Sequence, residues 1–190
     1  MNFLLDTNVI SELARRDPSR AVISWLDRIS EDSLYISVVT LAELHHGVEK
    51  LPTGAKRSRL HIWLSEALPD RFEGRILPID ARVAQHWGIV VAQCENRGRA
   101  MEPMDALLAA TALVHKLTLA TRNTRHFAII GEAMADAIVN PWVGGRPDHP
   151  ASHVAAHVGR EMPAGIIARK ATQRYNNLIR KAAARRKPRI

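Results

Sequence analysis

Short apolar runs alternate with stretches of helical periodicity through the first 140 residues, and that alternation restricts the fold more than any other feature. Five runs read as strands: Asn2–Leu5, Leu34–Ser37, Arg75–Ile79, Leu117–Thr121 and Ala137–Asn140. Between them, Thr7–Arg15 predicts a helical turn or two, and Pro18 opens a helix through Leu26. Leu41, Leu44, Val48 and Leu51 fall at helical spacing within Val38–Leu51, and Gly54–Leu68 continues as helix. Asp80 is placed to cap a long helix reaching about Gly98. Pro103 sits where a first-turn proline belongs, ahead of Asp105–His115. Strands alternating with helices predict an α/β fold, a parallel sheet flanked by helices on both faces.

The charge is unevenly placed. Residues 1–145 carry 16 Lys/Arg against 17 Asp/Glu, whereas residues 146–190 carry 11 against 2. The body is therefore close to neutral and the net charge of +8 belongs to the tail. A cationic tail suits a polyanionic partner, nucleic acid first, and equally suits a solvated basic terminus. Pro141–Pro147 holds two glycines and two prolines in seven residues, a linker composition. Beyond it, Ile167, Ala171, Tyr175, Leu178, Ile179 and Ala182 share one arc of an amphipathic basic helix. The expected division is a body of residues 1–143 and a basic C-terminal extension, 144–190, partly helical or disordered. Aromatic residues make up only 5%, which argues against a base-stacking platform. The single cysteine, Cys94, excludes an internal disulfide and reads as a small buried residue. Met1–Leu5 meets a charge at Asp6 without a basic leader, and no long uncharged apolar stretch follows. Neither a signal peptide nor a membrane partner is expected, and the expected compartment is the cytoplasm.

Acidic residues recur at strand ends. Asp6 closes the first strand, Glu43 lies in the first turns of the helix after the second, and Asp105 lies in the first turn after Pro103. Asn123 follows the fourth strand. In an open parallel sheet such ends gather the ligand. Each residue has a plainer explanation too. Asp6 suits a helix cap, Asp105 suits a helix dipole, and Glu43 is off the apolar stripe and suits a solvated face. As a set, three converging carboxylates would repel one another unless a divalent cation neutralised them. Oxygen-only ligation favours Mg²⁺ or Mn²⁺, and such a centre suits phosphodiester hydrolysis.

Four segments carry a resemblance: Leu5-Asp6-Thr7-Asn8-Val9-Ile10-Ser11-Glu12-Leu13, Val39-Thr40-Leu41-Ala42-Glu43-Leu44-His45-His46-Gly47, Met104-Asp105-Ala106-Leu107-Leu108-Ala109-Ala110-Thr111-Ala112, and Ala120-Thr121-Arg122-Asn123-Thr124-Arg125-His126-Phe127. In this order, across residues 1–143, they resemble the PIN-domain ribonucleases of the VapC/FitB-like toxin group. The resemblance implies a PIN-like (Rossmann-like) fold, dependence on Mg²⁺ or Mn²⁺, cleavage of RNA, a homodimer, and an antitoxin protein that blocks the active site. It places Asp6, Glu43 and Asp105 as metal-holding catalytic carboxylates and Asn123 as the fourth catalytic position. Thr7, Asn8 and Thr121 become supporting hydrogen-bonding residues, and Arg122 and Arg125 candidate phosphate contacts. The family often has a further acid where this chain has His126, which takes a ligand from any second metal. Residues 146–190 have no counterpart.

Other signals are weaker. His149, His153 and His157 recur every four residues, without a carboxylate or cysteine to complete a metal site. His45 and His46 adjoin Glu43 and suit a helix surface, while Trp25, Trp63, Trp87 and Trp142 are scattered as core residues are. A phosphatase would need aspartate where Asn8 stands. The remaining alternatives are a catalytically inactive RNA-binding or regulatory protein on the same fold, and a structural half of a toxin–antitoxin pair whose nuclease site is used only for docking.

Overall fold

The computed structural model describes residues 1–131, Met134 and 136–143. The predicted C-terminal helix and the histidines at 149, 153 and 157 lie outside the described residues. Five parallel strands, β1 (Phe3–Leu5), β2 (Leu34–Ser37), β3 (Ile76–Leu77), β4 (Thr118–Ala120) and β5 (Ile138–Val139), form one sheet in the order β3-β2-β1-β4-β5. The helices are α1 (Thr7–Leu13), α2 (Arg20–Leu26), α3 (Val38–Glu49), α4 (Ala55–Ile62), α5 (Leu68–Arg71), α6 (Ala81–Asn96), α7 (Pro103–His115) and α8 (Thr124–Phe127).

The central strands of the sheet are covered on both faces, so they are mostly apolar rather than alternating. Successive residues of β1 serve opposite cores: Phe3 and Leu5 pack with Val9, Trp25 and Leu44, while Leu4 packs with Val90, Leu108 and Leu119. Trp25 meets Phe3 edge-on, with ring centroids 5.1 Å apart. The four tryptophans and Cys94 all pack into or against these two cores.

Local chemistry sets the element ends. Ser37 caps α3 by accepting from the Val39 N–H at 3.2 Å, and Asp80 caps α6 by accepting from Val83 at 2.9 Å. Lys116, at φ 54°, turns α7 directly into β4. Both edge strands are shorter than expected. β3 loses Arg75, whose guanidinium donates to the carbonyls of Glu31 and Leu34, and it stops before Pro78, which has no N–H for a ladder. The single helix expected over Gly54–Leu68 is broken by a π-helical turn, Trp63–Ala67, between α4 and α5. Pro69 removes the N–H that the Ser65 carbonyl would accept, so the ladder shifts register there. The expected linker also begins too early. Pro141–Val143 is a 3₁₀ turn packed on α2, with Pro141 buried and Trp142 against the core of β1. Among the described residues no helix is long and apolar enough to cross a membrane.

Candidate active site

The strand order reverses direction at β1, where the chain continues to β2 on one side and returns as β4 on the other. A crevice opens at the carboxyl ends of strands at such a point. Asp6 follows β1 and Thr121 follows β4, and the Asp6 N–H donates to the Ala120 carbonyl at 3.0 Å. Asp6 occupies the cap position of α1, yet its side chain caps nothing, which removes the plainest explanation for it. Instead its Oδ2 accepts from the Thr121 hydroxyl at 2.5 Å and from the Asn8 amide. Oδ1 has no side-chain partner among the described residues. Asn8 also donates to Thr121 at 3.2 Å, and its own oxygen accepts from the Arg122 N–H at 3.1 Å. The Asn123 N–H donates to the Thr121 hydroxyl at 2.9 Å. Thr121 and Arg122 after β4 are thereby tied to Asp6 and Asn8 at the start of α1, and Asn123 is tied to Thr121.

Glu43, half-buried on α3, accepts from the Thr7 hydroxyl through Oε2. Thr40, one turn before it, is fully buried and donates to the Leu5 carbonyl at 3.2 Å, fixing α3 against the end of β1. Asp105 enters from the first turn of α7, and its Oδ2 lies 3.0 Å from Nδ1 of the exposed His126 on α8. Asn123, Arg122 and Arg125 stand exposed on the loop and short helix after β4. His45 is half-buried and His46 exposed on α3. The sequence reading missed the His126–Asp105 contact and the role of Thr40. The only hint of the former was an imidazole at a position the family often fills with an acid.

Electrostatics single out Asp6. Its pKa is raised above the ordinary 3.8, first by burial, and also by the negative charges of Glu43 and Asp105. Hydrogen bonds from Thr121 and from the Thr7 backbone act in the opposite direction. The other buried carboxylate, Glu12, is satisfied locally, by Arg15 at 2.6 Å and the Ser19 N–H at 2.7 Å. Asp6 has no such basic partner among the described residues.

The donor chemistry fits a hard divalent cation: three carboxylates, a free Asp6 oxygen, and a buried charge that a bound cation would favour. As the side chains are turned here, no three His, Cys, Asp or Glu among the described residues stand close enough to clasp one ion. Glu43 Oε2 is engaged by Thr7 and Asp105 Oδ2 by His126, each contact using one of the two carboxylate oxygens.

The PIN-domain family model matches residues 3–132. Over 139 residues, 73% of this chain, the protein is 41% identical to toxin FitB of Neisseria gonorrhoeae, 97% of which is covered. It is 37% identical over 139 residues to VapC ribonuclease Y4jK of Sinorhizobium fredii, 96% of which is covered. The solved structure of FitAB bound to an IR36 DNA fragment superposes with a TM-score of 0.68 at 37% identity, covering 78% of this chain and 99% of that one. The crystal structure of FitAcB from Neisseria gonorrhoeae gives 0.67 at 40% identity, covering 74% and 98%. A parallel sheet with its acidic residues at the switch point, a family match over most of the body and relatives aligned nearly end to end agree: the chain belongs to the PIN-domain family, in its VapC/FitB-like group.

Proposed function

We propose that the protein is a metal-dependent endoribonuclease, the toxin of a two-protein toxin–antitoxin module acting in the cytoplasm. The observation that carries this reading is Asp6: a buried carboxylate at the switch point, without a basic partner among the described residues, and under the negative charges of Glu43 and Asp105. The names of the relatives, a toxin and a VapC ribonuclease, support the same activity.

In this reading Asp6, Glu43 and Asp105 hold Mg²⁺ or Mn²⁺, and Asn123 is the fourth catalytic position, offering an amide oxygen without charge. Bound there, the ion supplies an activated water and offsets charge developing on the phosphodiester. Thr121 and Asn8 fix one oxygen of Asp6 and leave the other for ligation. Thr7 orients Glu43, and His126 orients Asp105. Arg122 and Arg125, exposed beside Asn123, are the candidate phosphate contacts. The reading also includes a homodimer and an antitoxin that covers the site; a solved structure 27% identical to this chain, a toxin–antitoxin complex from Klebsiella pneumoniae, supports the antitoxin partner.

The deciding experiment incubates purified protein with RNA in Mg²⁺ or Mn²⁺, with and without EDTA, beside Asp6→Asn. Cleavage that EDTA abolishes and Asp6→Asn lacks is expected. RNA that is bound but never cut, by wild type and variant alike, would favour the inactive RNA-binding alternative. Expression without a partner should arrest growth, and the same substitution should relieve the arrest.

A further inference from the structure

Among the described arginines, several are committed to protein partners. Arg15, Arg57 and Arg71 pair with Glu12, Glu49 and Glu31, and Arg75 and Arg97 donate to backbone carbonyls. Arg122 is different. Among the described residues it has no carboxylate partner, although it directly follows Thr121, which touches Asp6. Its guanidinium carbon instead lies 5.7 Å from the centroid of the Trp142 ring. The backbone beneath it is held by the Asn8 side chain at the Arg122 N–H and by the Thr121 hydroxyl at the Asn123 N–H.

Trp142 is itself anchored. Its backbone N–H donates to the Asn140 side-chain oxygen at 2.9 Å, Pro141 beside it is buried, and the turn packs on α2. A guanidinium held over an indole by cation–π attraction spends none of its N–H donors on that contact and keeps them for another partner. That arrangement suits a phosphate, which takes two such donors at once. Arg125, in the next turn, is exposed and has no aromatic seat among the described residues.

We propose that Arg122, seated on Trp142, forms a phosphate-binding subsite at the rim of the candidate active site, where it grips the RNA backbone beside the bond to be cut. Trp142 is a positioning residue for it. This rests on the ribonuclease reading and adds to it a named contact and the residue that presents it. The interaction strengthens substrate binding and takes no part in bond making or breaking.

The test uses the full-length protein and a labelled single-stranded RNA of mixed sequence. Cleavage kinetics are measured in Mn²⁺, and binding is measured against salt in the Asp6→Asn background. Arg122→Ala should raise KM and Kd about tenfold with kcat within twofold. It should also reduce the log–log salt slope by about 0.7, one phosphate contact on a single strand. Arg122→Lys should keep the slope while recovering only part of the affinity. Trp142→Phe should stay close to wild type, and Trp142→Leu should raise KM. On the Arg122→Ala background, Trp142→Leu should add nothing further. Arg125→Ala should have the smaller effect. KM and slope unchanged in Arg122→Ala, while the wild type cleaves RNA and Asp6→Asn does not, would overturn this subsite alone. A wild type that neither binds nor cleaves RNA would overturn the ribonuclease reading and the subsite with it. Because Arg122 is exposed, its substitution leaves the fold intact even if Trp142→Leu does not.

Discussion

Replacing Asp6 by asparagine separates what the site needs for chemistry from what the fold needs for stability. Both side-chain hydrogen bonds to Asp6 land on Oδ2, from Thr121 and Asn8. An amide oxygen in that place accepts both, and the amide nitrogen replaces Oδ1, which has no side-chain partner among the described residues. The substitution therefore keeps both side-chain hydrogen bonds, weakens at most the contact from the Thr7 backbone, and removes a charge that burial, Glu43 and Asp105 all disfavour. Without metal, relief of such a conflict should stabilise the protein by about 0.5–2 kcal/mol, or roughly 2–6 °C in Tm for a domain of this size. The gain should depend on pH. Below the ordinary carboxyl value of 3.8 the group is protonated in both folded and unfolded chains, and its charge contributes nothing. As pH rises from there towards the raised folded-state value, the unfolded chain sheds its proton first, so the wild type loses stability relative to Asp6→Asn. Above the folded-state value the difference is complete. Divalent metal should reverse the order. At a free concentration a hundredfold above Kd, binding adds about 2.7 kcal/mol to the wild type and little to the variant. Thermal melts in EDTA and in Mn²⁺, from pH 4 to pH 8 or so, read both effects. An Asp6→Asn protein that melts below wild type in EDTA, or one that gains as much from Mn²⁺, would refute the argument.

Glu43→Gln and Asp105→Asn should each reduce metal-dependent cleavage by about a hundredfold or more, with far-ultraviolet circular dichroism unchanged. Thr121→Val keeps the shape but deletes the hydroxyl that holds Asp6. It should lower apparent Mn²⁺ affinity by about 10–100-fold, as measured by metal titration of activity. Deleting the chain after Gly145 removes the excess positive charge, so RNA affinity should lose much of its salt dependence, while cleavage at saturating RNA stays near wild type. An unchanged salt slope together with a lowered Tm would instead mean that the basic segment packs on the body.

The central elements were legible because each carries a repeated signal. β1 is an uninterrupted apolar run and β2 an apolar run closed by Ser37, and α3 and α6 combine a side-chain cap with helical periodicity. The edges were harder. β3 and β5 hold two residues each, too short for any pattern, and their ends are set by long-range groups such as the Arg75 guanidinium reaching Glu31 and Leu34. The π-helical turn at Trp63–Ala67 depends on one missing N–H, which periodicity does not register. Pro141–Val143 carried a linker composition because prolines mark turns. Nothing local reveals that this turn is pinned on α2 with Trp142 against the core.

At the site, the acids were readable from their places at strand and helix ends, but the donors that hold them were not. Thr7 reaches Glu43 across 36 residues, His126 meets Asp105 across 21, and Asn8 reaches Thr121 across 113. Each contact exists only because the sheet brings the ends of β1, β2 and β4 to one edge. Register is therefore what builds the site. Leu5 is opposite Ala120, and the Asp6 N–H closes the pair by donating to the Ala120 carbonyl. A slip of β4 by one residue would carry Thr121 away from Asp6 and present its neighbour with the opposite side-chain direction. It would also move Leu119 out of its core, where it is fully buried. The apolar packing that fixes the sheet thus also fixes the hydroxyl on Asp6, and a core mutation that loosens β4 should weaken metal binding without touching any proposed ligand.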